Sequence, residues 1–272
     1  MNQEKVLLLR YPGGKQRLLN HLIQYLPNGE TIEGRFVEPF LGGGAVFFAL
    51  NPKRSLLADL NSELIDLYRG IRRYPSDVWR MFCAFPSTKK GYYKVRNVEN
   101  KNLKLSERAA RTLYLNRTCF KGMWRHNSKG QFNVGYGGQA RRWVISKEIL
   151  FEVSKRLKRA SLLKNDFEEV IDTCTKKDFL FLDPPYCPGA REMVNNHYGF
   201  SSFRFNDQVR LAKALNRASR RKVKWAMTTS SHPDILELFS GNTIVSLPRG
   251  TGKSPGILTN ISGEALICNY EV

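Results

Sequence analysis

The alternation of apolar and polar positions divides the chain into three stretches. In the first, short apolar runs over 35–38 and 55–58 predict buried strands, and the run 43–50 between them predicts a helix opened by glycine. Strand, helix and strand in that order make a parallel crossover unit. In the middle stretch, apolar residues recur at helical spacing over 63–73, 106–116 and 146–160, the second run with Ser106 as a cap before Glu107. Beyond 160 the pattern returns to strands, over 161–163, 179–183, 223–228, 243–247 and 264–270, with a helix over 207–219. The expected fold is therefore α/β: a sheet domain formed by residues 1–61 and 161–272, with a helical unit inserted over 62–160.

Composition adds a partner to this picture. The proportions of the 272 residues, 42% hydrophobic and 25% charged, are those of a folded protein with a core of its own. Its net charge of +20 favours a polyanion. The charge is local: residues 62–160 hold 23 Lys and Arg against 7 Asp and Glu. Lys155, Arg156, Lys158 and Arg159 read as the solvated face of a helix. The stretch 116–143 reads differently, because Arg117, Lys121, Arg125, Lys129, Arg141 and Arg142 alternate with Phe120, Trp124, Phe132, Tyr136 and Trp143. Cations suit phosphates and flat rings suit bases, so a nucleic-acid surface is expected, the alternative being a loop that packs its rings on its own helices.

Other classes are set aside by what the chain lacks. No apolar run nears the roughly 20 residues that cross a bilayer, and residues 1–15 carry no small-residue cleavage site. Five cysteines, an odd number without a Cys-x-x-Cys pair, suggest reduced thiols, a cytoplasmic protein and no zinc or other metal.

Two clusters carry candidate chemistry. The first runs from Phe36 to Ala45 through Glu38, Phe40 and three glycines, Gly42, Gly43 and Gly44. A strand ending in a glycine turn lets a ligand approach the backbone closely, although a dinucleotide Gly-x-Gly-x-x-Gly would need a glycine where Phe47 stands. Asp59, at the tip of the next strand, is placed to take ribose hydroxyls and could equally cap the following helix. The second cluster is Asp183-Pro184-Pro185-Tyr186 after four apolar residues, a rigid acidic turn at the carboxyl end of a buried strand. Neither proline has an N–H, so the carbonyls of the turn are open to an incoming amine. An exocyclic purine amine is a weak nucleophile because its lone pair is delocalised into the ring. A carboxylate and a carbonyl gripping its two hydrogens would draw it toward a pyramidal, nucleophilic form, with the tyrosine ring stacked on the base.

Arg10-Tyr-Pro-Gly-Gly-Lys15, Phe40-Leu-Gly-Gly-Gly44, Leu57-Ala-Asp-Leu-Asn61, Leu113-Tyr-Leu-Asn-Arg117, Phe120-Lys-Gly-Met-Trp-Arg125, Phe132-Asn133 and Asp183-Pro-Pro-Tyr186 occur in that order. Together they resemble the Dam-type, alpha-class (D12) DNA adenine-N6 methyltransferases over nearly the whole chain. The resemblance implies a Rossmann-like S-adenosylmethionine-dependent methyltransferase sheet with an inserted helical DNA-recognition domain. It implies that S-adenosylmethionine is held by Tyr11, Lys15, Glu38, Phe40, Gly42, Asp59, Asp166, Phe167 and Asp183, with Asp183, Pro184 and Tyr186 at the target amine. It implies double-stranded DNA as partner, contacted by Asn116, Arg117, Phe120, Lys121, Met123, Arg125, Asn127, Lys129, Tyr136 and Tyr198. Arg125 would read guanine and Phe120 would enter the base stack, in a GATC site. The segment departs from its relatives in carrying Thr118-Cys119-Phe120-Lys121 and Met123-Trp124 where they often have Tyr-Gly-Tyr-Asn and Leu-Cys. A monomer, associated with the nucleoid through DNA, is expected, in restriction–modification or in marking DNA for replication and repair. A methyltransferase acting on structured RNA would share the catalytic motifs. Cytosine-C5 chemistry would need a thiolate in a Pro-Cys turn, whereas here the order is Cys187-Pro188.

Overall fold

Strands that are apolar on both faces must be covered on both faces, and the chain supplies helices for each. The computed structural model describes residues 6, 8–11, 13–186, 203–247 and 263–272. Within these, seven strands form one sheet: β1 (Phe36–Glu38), β2 (Ser55–Asp59), β3 (Ala160–Lys164), β4 (Phe179–Leu182), β5 (Lys224–Ser230), β6 (Thr243–Leu247) and β7 (Glu264–Cys268). They lie in the order β3-β2-β1-β4-β5-β7-β6, parallel from β3 to β5, with β7 antiparallel to both neighbours. This is the expected Rossmann-like sheet. Its strand order reverses between β1 and β4, and ligands of such sheets bind at the carboxyl ends there.

The two-residue period of each strand sorts its side chains into two cores. Phe36, Leu57 and Phe181 face one side, where they join Leu64, Tyr68, Leu113 and Leu150 in one continuous cluster. Val37, Leu56, Leu180 and Leu182 face the other, against Phe167, Leu211 and Leu215. The first side is covered by α1 (Leu19–Leu22), α2 (Ala45–Leu50), α3 (Ser62–Arg73), α4 (Pro75–Ala84), α5 (Lys89–Arg96), α6 (Leu105–Thr118) and α7 (Lys147–Leu157). The second is covered by α8 (Phe167–Asp172), α9 (Phe205–Arg220) and α10 (Pro233–Glu237).

Several boundaries differ from the sequence reading. Ser106 does not cap α6: it is buried inside the helix, and the first turn is closed by the Glu107 carboxylate accepting from Lys104 N at 2.6 Å. The helix expected to reach 160 stops at Leu157, and Ala160 opens β3. Ser146, read from the sequence as the first residue of that helix, is its cap, accepting from Ile149 N at 3.3 Å. Helices α1, α4, α5, α8 and α10 were not anticipated. Of these, α1, α8 and α10 span too few turns to display a period.

Candidate active site

The glycine turn between β1 and α2 is a seat for a ring. Gly42 has φ +47°, and a Cβ there would come to 3.0 Å from Tyr11 Cε1; one at Gly43 would meet Tyr11 Cβ at 3.2 Å. The glycines thus admit Tyr11, whose own segment arrives from the far side of the turn. Asp59 closes the turn from β2: its two oxygens accept from Gly42 N at 3.0 Å and Asn61 N at 2.9 Å. Asn61, rather than Asp59, is the cap of α3, accepting from Leu64 N at 3.2 Å. Tyr68 donates to Gly42 O at 3.0 Å and fixes the turn from α3. Burial pushes Asp59 from its ordinary 3.8 up to about 6, the two backbone N–H groups opposing. Glu38, the last residue of β1, is 3% exposed and its Oε2 has no hydrogen-bond partner. Burial, then the charges of Asp183 and Asp59, drive its carboxyl well above the usual range, against the N–H of Phe47.

Asp183 follows β4 directly, so the acidic turn begins where the strand pairing ends at Leu182, with Pro184 buried. Asp183 Oδ1 accepts from Thr228 Oγ1 at 2.7 Å, a residue of the neighbouring β5, and lies 2.7 Å from the Lys15 ammonium. Lys15 also donates to Gly13 O at 2.9 Å and sits 4.7 Å from the centre of the Tyr186 ring. Its side chain is only 5% exposed. Burial alone would lower its pKa, but Asp183, Tyr186 and Glu264 hold it well above the ordinary lysine range. Glu264, at the start of β7, accepts from Tyr186 Oη at 3.1 Å and lies 3.8 Å from Lys15 Nζ. Sequence reasoning found Lys15, Asp183 and Tyr186 but missed Thr228 and Glu264. Both sit in strands, and the only signal was a charged residue opening the otherwise apolar Glu264–Cys268.

Beside the turn, Phe40 stacks on Phe167 at 5.3 Å between ring centres, and Phe203 meets Phe40 edge-on at 5.8 Å. Asp166 caps α8 through Glu168 N at 2.9 Å and binds Arg210 at 2.8 Å, while the Arg210 guanidinium lies 4.3 Å over the Phe167 ring. The sequence-predicted cofactor residues therefore gather around the carboxyl ends of β1, β2, β3 and β4.

The recognition segment splits in two. Phe120 (50% exposed), Lys121, Arg125, Asn127 and Lys129 lie at the surface, in a hairpin-like turn held by the bridges Cys119 to Tyr136 and His126 to Phe132. Asn127 Oδ1 accepts from Lys129 N and Gln131 N, each at 3.0 Å, and Arg125 Nε donates to Asn133 at 2.9 Å. Met123 and Tyr136 are half-buried against the core. Asn116 and Arg117 correct the expectation of DNA contact: each is 1% exposed, because the last turns of α6 run through the core. Asn116 accepts from Arg10 N at 2.8 Å and donates to Arg10 O at 2.7 Å, pairing with that residue's backbone as a strand would. Arg117 donates to Arg141 O at 2.8 Å, and burial with Arg10 and Arg141 nearby lowers its pKa to about 10. Trp124 and Phe132 are buried too, and Arg142 caps the end of α4 by donating to Phe85 O at 2.7 Å. Part of the alternating pattern is thus the loop packing on its own helices. Tyr198 and Cys187 lie outside the described residues.

Among the described residues, no group of three His, Cys, Asp or Glu is placed to hold a metal, and no helix is long and apolar enough to cross a membrane. A model of the D12 class N6 adenine-specific DNA methyltransferase family matches residues 11–250. The type II methyltransferase M1.LlaDCHI of Lactococcus lactis subsp. cremoris is 32% identical over 96% of this chain and 94% of its own length. The DNA N-6-adenine-methyltransferase of Escherichia phage P1 is 36% identical over 85% of this chain, which spans 31% of that longer protein. The DNA adenine methylase of Escherichia coli (strain K12) is 29% identical over 84% of this chain and 81% of its own.

Proposed function

The chain belongs to the D12 class of N6 adenine-specific DNA methyltransferases, and from that premise we propose how it works: it transfers the methyl group of S-adenosylmethionine to N6 of an adenine turned out of a short duplex site, GATC by the resemblance of its recognition segment. The observation that carries this reading is the row of acidic side chains Glu38, Asp59 and Asp183 at adjacent strand ends, with the buried Lys15 paired to Asp183 and the stacked Phe40 and Phe167 rings beside the turn.

The residues fit such a donor. A cationic sulfonium and an ammonium suit a site with three acidic side chains, one of which, Glu38, holds a buried oxygen without a partner. Asp59, whose oxygens each keep a second lone pair, is the ribose acceptor, and Tyr11 and Lys15 border the donor. Phe40, Phe167 and Asp166 hold the adenine end, and Gly42 keeps the turn close. When bound, S-adenosylmethionine supplies an electrophilic methyl group on a cationic sulfur.

The remaining work belongs to the chain. Asp183 accepts from the target amine, together with a carbonyl of the Pro184–Pro185 turn, and holds the proton released as the N–C bond forms. Pro184 keeps the turn rigid, and the Tyr186 ring stacks on the base. Catalysis comes from position and from polarising the amine. Turning a base out costs about a few kcal/mol, offset by binding along residues 62–160, the recognition domain between the catalytic segments 1–61 and 161–272. Phe120 enters the stack, Arg125 reads guanine, and Lys121, Met123, Asn127, Lys129 and Tyr136 line the duplex. The enzyme acts as a monomer on nucleoid DNA in the cytoplasm, in restriction–modification or in marking DNA for replication and repair.

The test is to methylate unmodified genomic DNA with S-adenosylmethionine and sequence it for the modified base and its context. N6-methyladenine confined to GATC supports the whole reading. The same mark in another short site leaves the chemistry standing and overturns the specificity, and no mark at all overturns both.

A further inference from the structure

We propose that Glu264 is a positioning residue for methyl transfer: it is a second seat for the Lys15 ammonium, taken up when the target amine claims Asp183. This rests on the reading that Asp183 grips that amine. Asp183 Oδ1 already receives two donors, Thr228 Oγ1 at 2.7 Å and Lys15 Nζ at 2.7 Å. A carboxylate has two oxygens, so the amine need not take the place of Lys15; it competes with the ammonium for the same negative charge, whereas Thr228 is a neutral, fixed part of β5 and buried.

Lys15 cannot simply let go. Its side chain is 5% exposed, and a buried ammonium parted from its counter-charge is strongly disfavoured. Glu264 Oε2 stands 3.8 Å from Nζ, so a shift of about one ångström brings the pair to hydrogen-bond distance. Lys15 then stays paired throughout, and Asp183 is released to the amine. The seat is itself held in place. Glu264 opens β7, is registered opposite Ser230 of β5, and accepts from Tyr186 Oη at 3.1 Å. It therefore touches both the lysine and the ring of the Asp-Pro-Pro-Tyr turn. It lies beyond residue 250, where the family match ends, so the family pattern assigns it nothing.

The experiment is single-turnover transfer from labelled S-adenosylmethionine to unmethylated genomic DNA, with donor affinity measured separately by calorimetry. Glu264→Gln keeps an oxygen for Tyr186 and removes the charge; Glu264→Ala removes both. Both should slow transfer about tenfold or more while donor affinity stays within about threefold. Thermal melting checks the fold, and the near-isosteric Gln variant keeps the test decisive if the Ala variant does not fold. In a Lys15→Met background, adding Glu264→Gln should change the rate by less than about twofold, because the seat has lost its occupant. A Glu264→Gln enzyme at full rate overturns the proposal, and so does an undiminished loss in the Lys15→Met background, which would mark a role independent of the lysine. If Asp183→Ala still transfers methyl groups, the fault lies with the reading of Asp183; if Asp183→Ala is inactive and Glu264→Gln is not, only the second seat falls.

Discussion

Asp59 shows how one side chain can serve the fold and the ligand at different pH. Its carboxylate closes the glycine turn through Gly42 N and Asn61 N, and burial raises its pKa from 3.8 to about 6. Because the folded value is the higher one, the folded protein prefers the protonated acid. The stability this group contributes is full below pH 3.8 and is lost as pH rises to about 6. Ribose binding runs the other way, since the proposed acceptor is the ionised form. Donor affinity should therefore fall as pH drops below about 6, approaching tenfold per pH unit, and Asp59→Asn should flatten that profile while weakening binding at pH 7.5. Calorimetric titration with S-adenosylmethionine across pH 5 to 8 checks both; an identical slope in the Asn variant would assign the titration elsewhere. Asp59 was legible because strand-tip acids have a general role in such sheets. Glu264 was not, because what matters about it is contact with Lys15 and Tyr186, and those residues are distant in sequence and close only through the antiparallel return of β7.

At the scale of elements, the pattern of apolar positions gave the strands and the long helices, because a two-residue or 3.6-residue period repeats often enough in them to be read. It did not give α8 or α10, each of five or six residues, nor the inward turn of α6. There the polar and charged look of Asn116 and Arg117 suggested a surface, but α6 is buried nearly all round and carries them inside. The consequence is a mechanical link. Asn116 holds the backbone of Arg10, Gly122 packs close to Arg10 Cβ, and Tyr11 lies 6.2 Å from Trp124 between ring centres. The segment bearing Tyr11 and Lys15 is thereby anchored to the base of the recognition hairpin. Asn116→Ala should cost about 1–3 kcal/mol of stability in denaturant melts, from two lost hydrogen bonds in a buried place. It should also weaken donor affinity more than DNA affinity; the reverse order would return Asn116 to the DNA surface. Arg125 belongs to the other half of the segment. It is exposed and oriented by Asn133, so Arg125→Ala should cost about 1–3 kcal/mol at one base pair and relax preference there. Competition binding with single-substituted duplexes reads this, and unchanged preference would refute base reading.

For the whole molecule, the decisive quantity is where the charge lies. The net +20 is concentrated in residues 62–160, and burial then divides that segment again. Arg111, Arg117 and Arg142 are interior and hydrogen-bonded to backbone carbonyls, so they stabilise the helical layer and cannot contact phosphates. Lys121, Arg125, Lys129 and Arg141 are exposed on or beside the hairpin. Counting the formal charge would thus overstate the number of phosphates the protein can neutralise by contact, and the salt dependence of DNA binding measures the difference. Four to six neutralised phosphates correspond to a slope of log affinity against log salt of about −4 to −5, far shallower than every cation in 62–160 acting together would give. Lys129→Gln should reduce that slope by about one and weaken binding evenly across sequences, because a lysine at the tip of the turn meets phosphate rather than a base edge. Fluorescence anisotropy of a labelled duplex from 50 to 400 mM salt tests both statements. A slope near −10 would mean that a second basic surface, away from the hairpin, also grips the duplex, and a Lys129→Gln effect confined to one sequence would make that lysine a reader.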